Sequence, residues 1–90
     1  MLLTDKIFTF EQILFDLLLG IYKCIEIEFS TIKDRVKFYL MLQDKGYDNQ
    51  LEIYISSLTS IVLYTHESEY WLRLEKVSYT KVGDNEFKKL

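Results

Sequence analysis

The sequence predicts an α+β domain in which one N-terminal helix precedes an antiparallel meander of about five strands. Three observations carry that prediction. Apolar residues recur at helical spacing between residues 10 and 19. Beyond Gly20 the period drops to two, the spacing of a half-buried strand. The chain has 90 residues, 49% hydrophobic and 16% aromatic, with a net charge of -3. That is enough apolar material for one packed core and too little charge for a disordered chain.

The helix begins where Thr9 stands three residues ahead of Gln12, the spacing of a capping box in which each side chain satisfies a free helix-start amide. Phe10, Ile13, Leu14, Leu17 and Leu18 form its apolar face, and Gly20 supplies the stop. Phe15 and Leu19 widen that face, which predicts a well-buried helix. The first strand follows at Cys24 to Phe29, where Ile25, Ile27 and Phe29 alternate with Glu26 and Glu28.

Residues 31–46 admit two readings. Thr31 and Asp34 suit a helix start and Gly46 a helix end. Against that, Val36, Phe38, Leu40 and Leu42 alternate with Lys37, Tyr39, Met41 and Gln43, as a strand requires. Register favours the strand. A turn at 31–34 places Phe29 opposite Val36, Ile27 opposite Phe38 and Ile25 opposite Leu40, with Glu28 beside Lys37. A loop at 44–49 then places Leu42 opposite Leu51, Leu40 opposite Ile53, Phe38 opposite Ile55 and Tyr39 opposite Tyr54. The alternative is an α-β-α-β-β-β order with residues 32–45 helical.

A turn at 56–60 leads to strands at 61–66 and 70–76, which pair Leu63 with Leu72 and Tyr64 with Trp71. Residues 1–79 then make a single domain, and 80–90, containing Gly83-Asp84-Asn85, read as a C-terminal tail. A meander of this length covers its apolar face with the helix or by curling into a barrel. In its order of one helix then five strands, and in the rhythm of IVLYTHESEYWLRLEKV, the chain resembles Sm-like and SH3-like barrels. The resemblance implies a small closed barrel.

The composition excludes several classes of function. One cysteine, Cys24, rules out an internal disulfide and any Cys-rich zinc site. The stretch from Ile13 to Ile25 is interrupted by Asp16, Gly20 and Lys23, too short and too charged to span a membrane. No signal peptide or lipidation motif is visible, so a cytoplasmic location is expected. The chain contains neither proline nor alanine, whose codons are GC-rich, which points to a gene of low-GC origin.

Catalytic chemistry finds little to work with. His66 is the only histidine, and Glu67 and Glu69 beside it do not complete a zinc site. Cys24 lacks a nearby base and reads as an apolar filler beside Met41. Ser56, Ser57 and Ser60 lie outside any nucleophile elbow. Glu26 and Glu28 share a strand face but have no cleft between them, as a glycosidase pair requires. The three glycines are too dispersed to cradle a phosphate. No enzyme activity, metal or cofactor is expected.

What remains is the outer face of the sheet. In the predicted register it carries Tyr39, Met41, Tyr54, Val62, Tyr64 and Trp71, with Arg73 alongside. Aromatic residues, Met and Arg are the types enriched at protein interfaces. The expectation is a small non-enzymatic module that acts stoichiometrically on a protein partner through Tyr39, Met41, Tyr54, Tyr64, Trp71 and Arg73, with a homodimer also open. Small size, acidic charge and low-GC origin suggest a phage- or mobile-element-encoded inhibitor of a host defence component. Anti-CRISPR and bacterial immunity proteins share that general character. The alternative is a small-barrel binder of single-stranded nucleic acid, using the alternating Lys33, Arg35 and Lys37 with the tyrosines as stacking platforms. The acidic balance and interspersed charges count against it.

Overall fold

The computed structural model describes residues 6–65 and 76–90. The chain runs β1 (Ile7–Phe8), α1 (Phe10–Leu18), β2 (Cys24–Glu28), α2 (Ile32–Asp44), a 3-10 turn (Tyr47–Asn49), β3 (Leu51–Ser57), β4 (Ser60–Thr65), β5 (Lys76–Gly83) and β6 (Glu86–Lys89). The strands form one sheet in the order β1-β6-β5-β2-β4-β3. The α+β class holds, as a two-layer arrangement with both helices packed on one sheet face. Among the described residues the sheet is open, ending in β1 and β3, and does not close into the expected barrel.

Helix α1 forms as its sequence dictates. Thr9 Oγ1 accepts from the Gln12 amide at 3.2 Å, and Gln12 Oε1 accepts from the Thr9 amide at 2.8 Å. A third contact comes from far along the chain: Phe10 N–H donates to Asn85 Oδ1 at 2.9 Å. Asn85 sits in the β5–β6 turn with a φ of 54°, a left-handed conformation that Asn tolerates better than most residues. Its Nδ2 donates to Glu11 Oε1 at 3.0 Å, and that bond holds the Glu11 carboxyl below its ordinary range. The β5–β6 turn therefore caps α1 and fixes its start against the sheet.

Residues 32–44 are helical, as in the alternative reading, and the predicted hairpin is absent. Thr31 caps α2, accepting from the Asp34 amide at 3.1 Å. The chain turns out of the helix at Gly46, where a φ of 78° favours glycine. With α2 helical, no pairing of 25–29 with 36–40, or of 38–42 with 51–55, exists. Strand β2 lies instead between β4 and β5. It pairs antiparallel with β4, Ile25 opposite Leu63 and Ile27 opposite Ile61. It pairs parallel with β5, Ile25 opposite Val77 and Ile27 opposite Tyr79. These residues form the helix-facing side and, with Phe10, Leu17, Phe38 and Leu42 from the helices, make the core.

Residues 80–90 are not a tail. Thr80 to Gly83 complete β5, and β6 returns antiparallel, placing the buried Phe87 in the core and pairing onward with β1. The turn between β3 and β4 is tighter than predicted, since β3 continues to Ser57. The predicted pairs of Leu63 with Leu72 and Tyr64 with Trp71 fall on residues outside the described ones.

Candidate functional site

The expected binding face is divided between two layers. Tyr54 and Tyr64 do share the sheet face away from the helices: Tyr54 stands opposite Val62, and Tyr64 opposite Cys24 and Glu52. Tyr54 is 60% exposed and Tyr64 half-buried. Tyr39 and Met41 belong to α2 in the other layer, where both are half-buried against the core. Trp71, Arg73, His66 and Glu69 lie outside the described residues.

The remaining groups on that sheet face bond to one another. Glu26 receives Lys76 Nζ at 3.1 Å and the Ser56 hydroxyl at 3.0 Å. The Thr59 hydroxyl donates to Glu28 at 2.6 Å, so neither carboxylate pairs with Lys37 as the hairpin required. Buried Ser60 lies within 2.6 Å of the Ser56 hydroxyl and 2.7 Å of Ser57. Cys24 stands beside Tyr64 and Lys76 rather than Met41, and burial pushes its thiol up to about 11. A thiol so held stays protonated and unreactive at neutral pH. Among the described residues no three His, Cys, Asp or Glu side chains come together as metal ligands.

A cleft of about 370 Å³ opens between the start of α1, the length of α2 and the β5–β6 turn. Phe10, Phe38, Phe87 and Tyr47 line it, packed against one another largely edge to face; Phe10 and Phe38 have ring centroids 5.2 Å apart. Lys37, Lys45 and Lys81 stand around it, with Glu11, Asp34 and Asp84. Three cations against three carboxylates give the cleft no sign with which to select an ion. Lys81 is tied to the Gly83 carbonyl at 2.6 Å, and Glu11 to Asn85. These rings hold the helices, the sheet and the turn together.

Apolar side chains are also exposed on the helices. In α1 the buried residues are Phe10, Ile13, Leu14 and Leu17, while Phe15 and Leu19 are 61% and 60% exposed, contrary to the expectation of full burial. Leu18 and Ile21 are exposed beside them. In α2 only Phe38 and Leu42 are fully buried, and Ile32, Val36 and Leu40 are exposed. Their spacing of four places these three in one row along the side turned from the core. A helix with apolar residues all round is ordinarily buried on every side. Here the sheet covers one side of each helix.

Sequence reasoning missed this surface because it assigned Phe15 and Leu19 to the core and residues 36–42 to a strand. The signal was present as the recurrence of Ile32, Val36 and Leu40 four residues apart. Helix α2 also redistributes the basic residues. Lys33 and Lys37 stay on one side, whereas Arg35 turns away and donates to the Leu58 carbonyl at 3.0 Å. The alternating basic strand expected of a nucleic-acid binder is absent from this segment.

No family model, curated protein or solved structure matches the chain. Among the described residues no helix is long and apolar enough to cross a membrane.

Proposed function

We propose that the protein is a non-catalytic binding module that docks stoichiometrically on a protein partner through the outward side of its two helices. The observation that supports this reading is the double-sided apolar character of α1 and α2, with Phe15 and Leu18 exposed on one, Leu19 and Ile21 exposed just past its end, and Ile32, Val36 and Leu40 exposed on the other. Exposed large apolar side chains on both helices cost solubility, while burial against a partner returns their transfer free energy. The helical surface replaces the sheet face as the main contact, with Tyr54 and Tyr64 as a second surface on the opposite layer. Small size, acidic charge and low-GC composition favour an inhibitor encoded by a phage or mobile element and directed at a host defence component.

The test is affinity capture by tagged wild-type protein from the source organism's lysate, with and without nuclease, beside Phe15→Asp and Leu40→Asp. Both positions are exposed, so both variants keep the wild-type far-ultraviolet circular dichroism. Support is one stoichiometric protein that survives nuclease and is lost with the variants. Retention by both variants refutes the helical surface. Nucleic acid as the only captured species refutes the reading altogether.

A further inference from the structure

The cleft between α1, α2 and the β5–β6 turn carries more charge on its rim than the fold uses. Four of its six charged residues are engaged within the chain. Lys81 is held by the Gly83 carbonyl. Glu11 accepts from Asn85, a bond that lowers its carboxyl, and the nearby charge of Lys45 lowers it further. Asp34 stands in the first turn of α2, where a carboxylate faces the positive end of the helix. Lys37 and Asp84 remain. Both are exposed, and among the described residues neither has a hydrogen bond or an ion pair. They stand on different walls, Lys37 on α2 and Asp84 on the turn. The buried rings of Phe10, Phe38 and Phe87 form the floor between the elements, with Met41 and Tyr47 half-buried beside them. The described chain is interrupted before Lys6 and between Thr65 and Lys76, and both points lie toward the end of the sheet away from that turn.

We infer that this cleft binds a small aromatic zwitterion, an aromatic amino acid, with its ring on the phenylalanine floor, its carboxylate at Lys37 and its ammonium at Asp84. The volume of about 370 Å³ sits at the small end of the range for small-molecule pockets, about 300–1,000 Å³. An apolar floor with a few polar groups at its rim is the usual build of such a pocket. The rim charges select the ligand. They sum to zero, so a ligand with net charge gains one partner and meets repulsion from the rest. An aromatic acid would satisfy Lys37 but lie near Asp34 and Asp84. An aromatic amine would satisfy Asp84 but face Lys37 and Lys45. A neutral ring would desolvate both free charges without pairing either. A zwitterion pairs both through charge-assisted hydrogen bonds. An aliphatic amino acid would forgo the edge-to-face contacts that the floor's rings already make with one another. The partner surface proposed above lies on other residues, so the two readings fail independently.

The experiment is isothermal titration calorimetry on the full chain with L-phenylalanine, L-tyrosine, L-tryptophan and L-leucine. The tightest ligand is then compared with its analogue lacking the amine and its analogue lacking the carboxylate. At least one aromatic amino acid binds with one site per chain, and L-leucine and both analogues bind at least about tenfold more weakly. Lys37→Gln and Asp84→Asn change exposed positions and keep the wild-type circular dichroism spectrum. Lys37→Gln weakens the amino acid at least about fivefold but does not weaken the analogue lacking the carboxylate. Asp84→Asn weakens the amino acid similarly and spares the analogue lacking the amine. Absence of binding by all three aromatic amino acids at millimolar concentration overturns the inference. So does L-leucine binding as tightly as they do, or binding that neither substitution weakens.

Discussion

Leu40 and Leu42 offer a sharp test of how residues 32–44 fold. They are two positions apart, so a strand would bury them on one face, whereas a helix turns them about 200° from each other. In the structure Leu42 is 0% exposed and Leu40 56% exposed. Leu42→Ala removes a fully buried side chain and leaves a cavity, at a cost of about 2–5 kcal/mol. Since Leu42 is one of two fully buried residues of α2, the helix cannot readily collapse into the space. Leu40→Ala removes exposed atoms, and alanine favours the helix slightly, so its effect stays within about 0.5 kcal/mol. A domain of this size loses about 4–8 °C of melting temperature per kcal/mol, which puts Leu42→Ala roughly 10–40 °C below wild type. Urea titration followed by far-ultraviolet circular dichroism, run cold so that the weaker variant is folded, measures both. Equal losses for the two variants would refute the helix and restore the strand.

Asn85 should matter more than an exposed turn residue usually does. Asn85→Ala removes the bonds to Phe10 and Glu11 and places a Cβ-bearing residue without a polar side chain at φ 54°, costing about 1–3 kcal/mol in urea. Asn85→Gly keeps the backbone free and loses only the side-chain bonds, about 1 kcal/mol; an alanine variant as stable as the glycine one would remove the strain from this account. Alkaline pH should also weaken the fold. Burial raises the Cys24 thiol from an ordinary 9.0 to about 11 and the Tyr79 phenol from 10.0 to about 12. The folded state therefore holds these protons after the unfolded chain has released them. That stability is complete below pH 9 and is lost as pH rises through 11 and 12. Urea midpoints measured across this range fall, and Cys24→Ala delays the onset to about pH 10; a flat profile would contradict the burial of both groups.

The parts of this fold legible in the sequence are those specified by neighbours in the chain. Thr9 and Gln12 cap α1 across three residues, and Ile25 and Ile27 mark β2 by simple alternation. The parallel pairing of β2 with β5 joins residues 52 positions apart, and a pairing at that range leaves no local pattern to read. The β5–β6 hairpin did leave a trace in Gly83-Asp84-Asn85. With Phe87 as the sole large apolar residue after that turn before Leu90, the segment lacked the alternation that marks a strand. Of the predicted binding residues, Tyr54 and Tyr64 lie on the sheet face away from the helices, because β3 and β4 pair locally. Tyr39 and Met41 moved to the other layer when their segment proved helical.

The ambiguity of residues 32–44 has a physical origin that bears on function. A helix serving only the core would carry apolar residues at Phe38 and Leu42 and polar ones opposite, and its period of 3.6 would be plain. Here Val36 and Leu40 occupy the outward side, offset by two residues from Phe38 and Leu42. Two apolar rows on opposite sides of one helix, each repeating every four residues, interleave into an apolar residue at every second position. That is the signature of a strand. The same substitutions that obscured the helix thus created its exposed surface. Conflict between local pattern and final structure is expected where a sequence answers to a requirement beyond folding. Replacing Val36 and Leu40 with glutamine should make the helical period explicit and leave the core untouched, while removing two of the three residues of the apolar row that the partner is proposed to cover.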